Sequence, residues 1–248
     1  MNTTTRNLID TSVTVAALVE ALSGLPTSPP SLYLDLEGIN ISRHGSVSII
    51  QIHVFPQGQT YLTDVHTLGM DAFSTPGANG QTLKGILESD PIPKVFFDVR
   101  NDSDALFSHY EIKVAGIYDI QLMELATRDF SKKFVNGLAK CIERAIPLTG
   151  SEMRAWKDTK EKGLDLFLPE RGGSYEIFNT RPLPEAVFLY CVQDVHFIPK
   201  LWQNYNSLLT VAWAGKVRQA VQDRVSLSQT ATYIGKGPHK ALGPPGWY

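Results

Sequence analysis

Residues 31–37 read Ser-Leu-Tyr-Leu-Asp-Leu-Glu, and this alternation constrains the fold more tightly than any other stretch of the chain. Successive side chains of an extended strand point to opposite faces of a sheet. Leu32, Leu34 and Leu36 therefore share one face, and Tyr33, Asp35 and Glu37 share the other. The leucine face needs an apolar layer above it. The opposite face presents two carboxylates roughly 7 Å apart, close enough to converge on one point. A strand this apolar belongs near the centre of its sheet, where ionised carboxylates cost several kcal/mol each unless they are paired or bound to a cation. The other reading is that the strand end reaches water and both acids are simply hydrated.

The rest of the chain supplies the layers. A helix over 11–22 carries Val15, Leu18, Val19 and Leu22 at helical spacing. Strands follow the first at 47–55 and 60–65, joined through 56–59 as a hairpin. After a helix at 81–88 come a strand at 94–98, a helix at 101–110 opened by Asn and Asp residues suited to capping, a strand near 114–118 and a helix at 119–128. Helices are predicted at 136–145 and 151–162, with 163–181 as loop. An apolar helix begins at 182, with Pro184 and Glu185 in its first turn, and continues through a kink at Pro199 toward 209. A last helix spans 211–227. Strands first, then alternating strands and helices, predict an α/β fold built on a five-stranded mixed sheet flanked by helices. No repeat or break in composition divides the chain, so residues 1–230 are expected as one domain and the Gly/Pro-rich residues 231–248 as a flexible tail.

Composition excludes several classes. With 248 residues, 43% of them apolar and 19% charged, the chain suits one large globular domain and is not disordered. The longest unbroken apolar run, residues 186–192, is seven long, against about twenty for a membrane-spanning helix. Cys141 and Cys191 form no paired motif, which fits small buried hydrophobes in a reduced, intracellular setting, cytoplasmic or nuclear. The net charge of −2 hides an asymmetry: residues 1–127 hold 6 basic and 14 acidic side chains, and residues 128–248 hold 17 and 11. A near-neutral total therefore does not rule out a polyanionic partner.

Two further acidic features stand out. Asp194 follows the run 186–192 within one predicted helix, and Tyr190 lies one turn before it on the same face. A helix this apolar is buried on most sides, so its acid needs a partner; a surface stripe beside Gln193 and His196 is the alternative. The second feature is Asp98-Val-Arg-Asn-Asp102-Ser-Asp104, where a strand gives way to a helix. One or two of these acids can be helix caps, and the residues alone do not choose among the three. Loops and motifs of other chemistries, Gly-x-x-x-x-Gly-Lys-Ser/Thr, His-Glu-x-x-His and Gly-x-Ser-x-Gly, are absent from the sequence.

Taken in order, these pieces resemble the DEDD family of 3′-5′ exonucleases, in its ribonuclease D-like branch with a tyrosine in the last motif. The motifs are Tyr33-Leu-Asp35-Leu-Glu37-Gly, Lys94-Val-Phe-Phe-Asp-Val-Arg-Asn-Asp102-Ser-Asp-Ala-Leu106 and Arg181-Pro-Leu-Pro-Glu-Ala-Val-Phe-Leu-Tyr190-Cys-Val-Gln-Asp194-Val. The resemblance spans residues 8–209. The family places its second acid four residues before a leucine, which selects Asp102 over Asp98 and Asp104. The histidine branch needs His at position 189, where this chain has Leu189. One departure is Phe97, where many relatives carry His.

The resemblance implies a ribonuclease H-like fold with Asp35, Glu37, Asp102 and Asp194 around two divalent cations, Mg²⁺ or Mn²⁺. It implies that Asp35, Glu37 and Asp194 hold the cation that activates water, that Asp35 bridges to the second, and that Asp102 holds the second through water. Tyr190, with an ordinary pKa near 10, is a poor base at neutral pH and is expected to orient that water. The implied activity is hydrolysis of single-stranded RNA or DNA from a free 3′ end to 5′-mononucleotides; the alternative is a catalytically silent adaptor that keeps the fold and binds nucleic acid. Substrate phosphates are expected on the basic C-terminal half, at Arg181, Arg154 and Lys157, with Lys160, Lys162, Arg128, Lys132 and Lys133 nearby.

Overall fold

The computed structural model describes residues 7–248 and contains a six-stranded mixed sheet in the order β1-β4-β3-β2-β5-β6. The strands are β1 (Leu8–Ile9), β2 (Leu32–Glu37), β3 (Ile49–Val54), β4 (Gln59–Asp64), β5 (Lys94–Phe96) and β6 (Ile117–Asp119). β2, β3 and β4 form an antiparallel meander, while β1 runs parallel to β4 and β5 and β6 extend the other edge in parallel with β2. The expectation of five strands is one short. The missing strand is β1, a two-residue edge piece between polar neighbours, with too few residues to show alternation.

The helices are α1 (Ser12–Leu22), α2 (Val65–Leu68), α3 (Asp71–Ser74), α4 (Leu83–Glu88), α5 (Arg100–Tyr110), α6 (Ile120–Thr127), α7 (Leu138–Ala145), α8 (Gly150–Phe167), α9 (Glu185–His196), α10 (Ile198–Leu208) and α11 (Val211–Ser228). Thr11 and Thr14 form a reciprocal cap on α1, satisfying amides that have no partner within the helix. The strand expected to reach Phe55 stops at Val54, because Pro56 offers no N–H to the ladder. Gly58 closes the hairpin at φ +62, a conformation glycine adopts without strain.

The alternation in β2 is realised as two cores. Leu32, Leu34 and Leu36 join Ile50, Ile52 and residues of α1, α4 and α5 on one side of the sheet. On the other side Tyr33 and Val95 pack among residues of α6, α7, α10 and α11, and Ile49 and Leu62 pack against α9. Burying one leucine fully is worth about 1.5–3 kcal/mol, so the three leucines fix which way β2 faces. Asp35 and Glu37 are thereby turned toward α9.

Two helix boundaries differ from expectation, each for a local reason. The helix begun after Pro184 does not kink and continue; it ends at His196, and α10 starts at Ile198. Pro199 lacks an N–H and clashes with the carbonyl four residues earlier, so it is tolerated only in the first turn of a new helix. In contrast, α8 runs on through Gly163 to Phe167, and the expected loop shrinks to two 3-10 turns, Pro169–Arg171 and Tyr175–Asn179.

The segment after α11 crosses the end of the sheet. The Arg100 guanidinium donates to the Lys240 carbonyl at 2.9 Å, Val135 N–H donates to the Ala241 carbonyl at 2.9 Å, and Gly243 N–H donates to the Lys133 carbonyl at 2.8 Å. Tyr233, 8% exposed, donates its hydroxyl to Asn101 Oδ1 at 2.8 Å. Among the described residues no helix is long and apolar enough to cross a membrane.

Candidate active site

Three elements bring the site together. β2 pairs with β3 along its whole length, with Asp35 opposite Gln51 and Glu37 opposite Ile49, while β5 pairs with it only at Leu32 and Tyr33, so the acids sit just past the end of the β5 ladder. Helix α9 packs over this face and presents Tyr190 and Asp194. Carboxylate oxygens of Asp35, Glu37 and Asp194 all lie within 4.8 Å of one another. Asp102, in the first turn of α5, is not one of these three; it is 7% exposed, and the Asp35 charge acts on it from the neighbouring strand.

The electrostatics of these carboxylates are unbalanced. Burial, then the charge of Asp194, raises Asp35 to about 7. Burial and the Asp35 charge also push Glu37 well above the usual carboxylate range, and burial with the charges of Asp35 and Asp98 does the same to Asp102. One cation reaches the β2 side: Lys160 Nζ of α8 lies 3.1 Å from Asp194 Oδ1 and 5.1 Å from the centre of the Tyr190 ring. Another, Lys240, acts on Asp102 from the C-terminal segment. Tyr190 is buried, and burial together with the Asp194 and Glu37 charges drives its phenol well above its ordinary value. It therefore keeps its proton at physiological pH and can donate a hydrogen bond.

The three acids of the 98–104 stretch are separated by their partners. Asp98 sits at φ +62 and holds the Arg100 guanidinium at 2.5 and 2.6 Å, with Arg224 at 3.5 Å. Burial acts upward on Asp98, but Arg100 and Arg224 hold it below the usual range. Asp104, 1% exposed, accepts from the Arg43 side chain at 2.8 Å and from its backbone N–H at 2.9 Å. Asp102 makes no ion pair among the described residues, so it is the one left with charge to share.

The basic residues divide differently from expectation. Arg181 does not face the carboxylates with a free guanidinium: it is clamped by Asp64 at 2.5 Å through two nitrogens and donates its third to the carbonyls of Phe178 and Thr180. Those bonds fix the turn that leads into α9 and leave the group spent. Arg154 bonds a carbonyl of its own helix, and Lys157 pairs with Glu143 at 2.7 Å in solvent. The lysine that α8 brings to the carboxylates is Lys160. A signal for it exists in the sequence, since Trp156, Lys160, Gly163 and Phe167 form one helical stripe whose other members are buried.

Gly163, where the sequence predicts the start of a loop, lies inside α8. Its place is set by Tyr190: a Cβ there would lie 2.3 Å from Cδ2 of the ring. The glycine lets α9 approach α8 closely enough to hold the phenol against the acids. Gln193 Nε2 donates to the Trp156 carbonyl at 2.9 Å and ties the two helices one turn further on.

Four carboxylates with so little positive charge among them suit hard divalent cations, which take all-oxygen donor sets. Comparison with known proteins agrees with this chemistry. A family described as 3′-5′ exonuclease matches residues 7–210. The piRNA biogenesis protein EXD1 of Mus musculus is 32% identical over 168 residues, covering 66% of this chain and 27% of that protein. EXD1 of Homo sapiens is 35% identical over 106 residues, covering 43% and 19%, so the chain spans about a quarter or less of the length of these relatives. Among solved structures, Trypanosoma brucei RNase D in complex with RNA U12 superposes with a TM-score of 0.77 at 22% identity, covering 97% of this chain and 76% of the other. Escherichia coli RNase D, an exoribonuclease involved in structured RNA processing, gives a TM-score of 0.59 at 18% identity, covering 91% and 51%. At those identities the likeness is one of fold, a ribonuclease H-like sheet and its helical layers. The chain belongs to the 3′-5′ exonuclease family, with an RNase D-like fold.

Proposed function

We infer that the protein is a metal-dependent exonuclease that shortens single-stranded RNA or DNA from a free 3′ end and releases 5′-mononucleotides. The observation that carries this reading is the convergence of Asp35, Glu37 and Asp194 within 4.8 Å, with Asp102 beside them and carboxyl groups held well above their usual range. Asp35, Glu37, Asp102 and Asp194 would hold two divalent cations, Mg²⁺ or Mn²⁺. Such a pair supplies Lewis-acid activation of water and charge neutralisation at the departing 3′ oxygen.

The remaining roles fall to the side chains themselves. Tyr190, protonated and aimed into the acidic group, donates a hydrogen bond that orients the attacking water. A tyrosine in this place fits the tyrosine branch of the family. Gly163 and α8 fix the ring, and Lys160, paired with Asp194, is the cation we assign to a substrate phosphate. The family supports direction from a 3′ end, and the RNA-bound relative supports a nucleic-acid substrate.

The test is a degradation assay on matched RNA and DNA oligonucleotides, with free or blocked 3′ ends, in Mg²⁺, Mn²⁺ or chelator. Mononucleotides released from free 3′ ends, only with cation present, are the expected result. Equal loss of 3′-blocked strands overturns the direction. Tight binding without any cation-dependent release overturns hydrolysis in favour of a silent nucleic-acid-binding adaptor.

A further inference from the structure

The segment between α6 and α7 reads Arg-Asp-Phe-Ser-Lys-Lys-Phe over residues 128–134. Its two phenylalanines are not tucked in: Phe130 is 53% and Phe134 54% exposed. Each has a cation over its ring, Arg144 at 5.8 Å and Arg128 at 5.2 Å for Phe130, and Lys133 at 5.4 Å for Phe134. Lys216 lies 4.5 Å from the centre of Trp213 at the start of α11, and Lys132 of the segment lies 5.2 Å from the same ring, which brings Lys216 beside it. Arg128 is neutralised by Glu124 at 2.5 Å, but among the described residues Lys133, Arg144 and Lys216 make no ion pair. The nearest acid in the segment, Asp129, offsets one of these three charges.

Single exposed apolar residues are ordinary. Two open aromatic rings within five residues, among unpaired cations, are what a single strand of nucleic acid uses: bases stack on the rings and phosphates meet the ammonium and guanidinium groups. An acidic protein surface would use the charges and leave the rings idle. The C-terminal segment links this stretch to the border of the acidic site. Phe134 and Leu242 form an antiparallel bridge, Gly243 donates to the Lys133 carbonyl, and Lys240 reaches Asn101 Oδ1 at 2.8 Å, next to Asp102.

We propose that the patch formed by Phe130, Lys133, Phe134, Arg144 and Lys216 binds the upstream part of a single strand whose 3′ end lies at the carboxylates. The proposal rests on the exonuclease reading and adds to it a track that only longer strands can occupy. Single-strand grooves commonly take about 4–16 nucleotides, so the contribution of the patch depends on strand length.

The test uses the full chain in chelator, with fluorescence anisotropy on unstructured oligonucleotides of increasing length. Wild-type affinity is expected to rise with length. The double variant Phe130→Ala/Phe134→Ala, altered only at exposed positions, is expected to bind long strands about tenfold or more weakly, given what stacking on one ring contributes, and the shortest strands unchanged. Lys133→Ala is expected to lower the slope of log affinity against log salt by about 0.7. Wild-type affinity of the double variant for long strands overturns the proposal, as does equal weakening for the shortest strands. Wild-type degradation is measured alongside with Mg²⁺ or Mn²⁺. Length-dependent binding lost in the variants, without degradation, sinks the exonuclease reading and keeps the patch; degradation with unaltered long-strand binding in the variants sinks the patch alone.

Discussion

At the scale of single residues, the carboxylates are kept in a state that folding alone does not favour. Asp35, Glu37 and Asp102 all have raised pKa values in the ion-free protein, so the folded form holds protons that the unfolded chain has released. Stability from this source is fully present below the ordinary carboxylate value and is lost as pH rises through about 7 for Asp35. The melting temperature of chelator-treated protein is therefore expected to fall as pH rises from about 4 to about 7. Mg²⁺ or Mn²⁺ is expected to restore it, most strongly above neutrality; scanning calorimetry across pH with and without cation reads both effects. Replacing Asp102 by Asn removes one of the repelling charges. It should raise the ion-free melting temperature, at about 2–4 °C for each kcal/mol relieved, while cutting hydrolysis at least about 100-fold, the upper end of what partners outside a metal's own ligands cost. An unchanged melting temperature would mean that Asp102 is not under strain from its neighbours.

At the scale of elements, α8 and α9 decide whether the phenol is in place. Gly163→Ala puts a methyl group 2.3 Å from Tyr190 Cδ2, and overpacking of this kind costs about 1–3 kcal/mol. Both the melting temperature and the turnover number are expected to fall. Gly215, inside α11 with open space around it, gives the control: its change to Ala should stabilise by roughly 0.5–1 kcal/mol and leave activity alone. The two glycines look alike in the sequence, which explains why the end of α8 was misplaced. Periodicity reports which face of a helix is buried, not how near its neighbour comes. The same limit applies to Arg181. Its proximity to α9 was legible, but its pairing with Asp64, 117 residues away, was not. Where the information is local, as in the β2 alternation and the i, i+4 pairing of Tyr190 with Asp194, the sequence was enough.

At the scale of the whole molecule, the order of motifs carried the fold, and what it left out lies at the ends of the chain. β1 was too short to see, and residues 231–248 read as a tail because Gly and Pro deny them a period. The structure gives that segment definite partners in Arg100, Asn101 and Val135. A chain ending at residue 230 is expected to melt several degrees lower, at about 2–4 °C per kcal/mol lost, and to degrade its substrate less well. A truncated protein that melts and turns over like the full chain would make the segment a mere appendage. Its position has one more consequence, in the order of events during synthesis. Domains fold as they leave the ribosome, N-terminal parts first, yet the acidic group draws on residues from Asp35 to Asp194 and its border on Lys240. A growing chain thus displays β2 and its carboxylates long before α9 arrives to complete them. Until α9 has emerged, the nascent chain lacks the group of carboxylates on which the proposed hydrolysis depends.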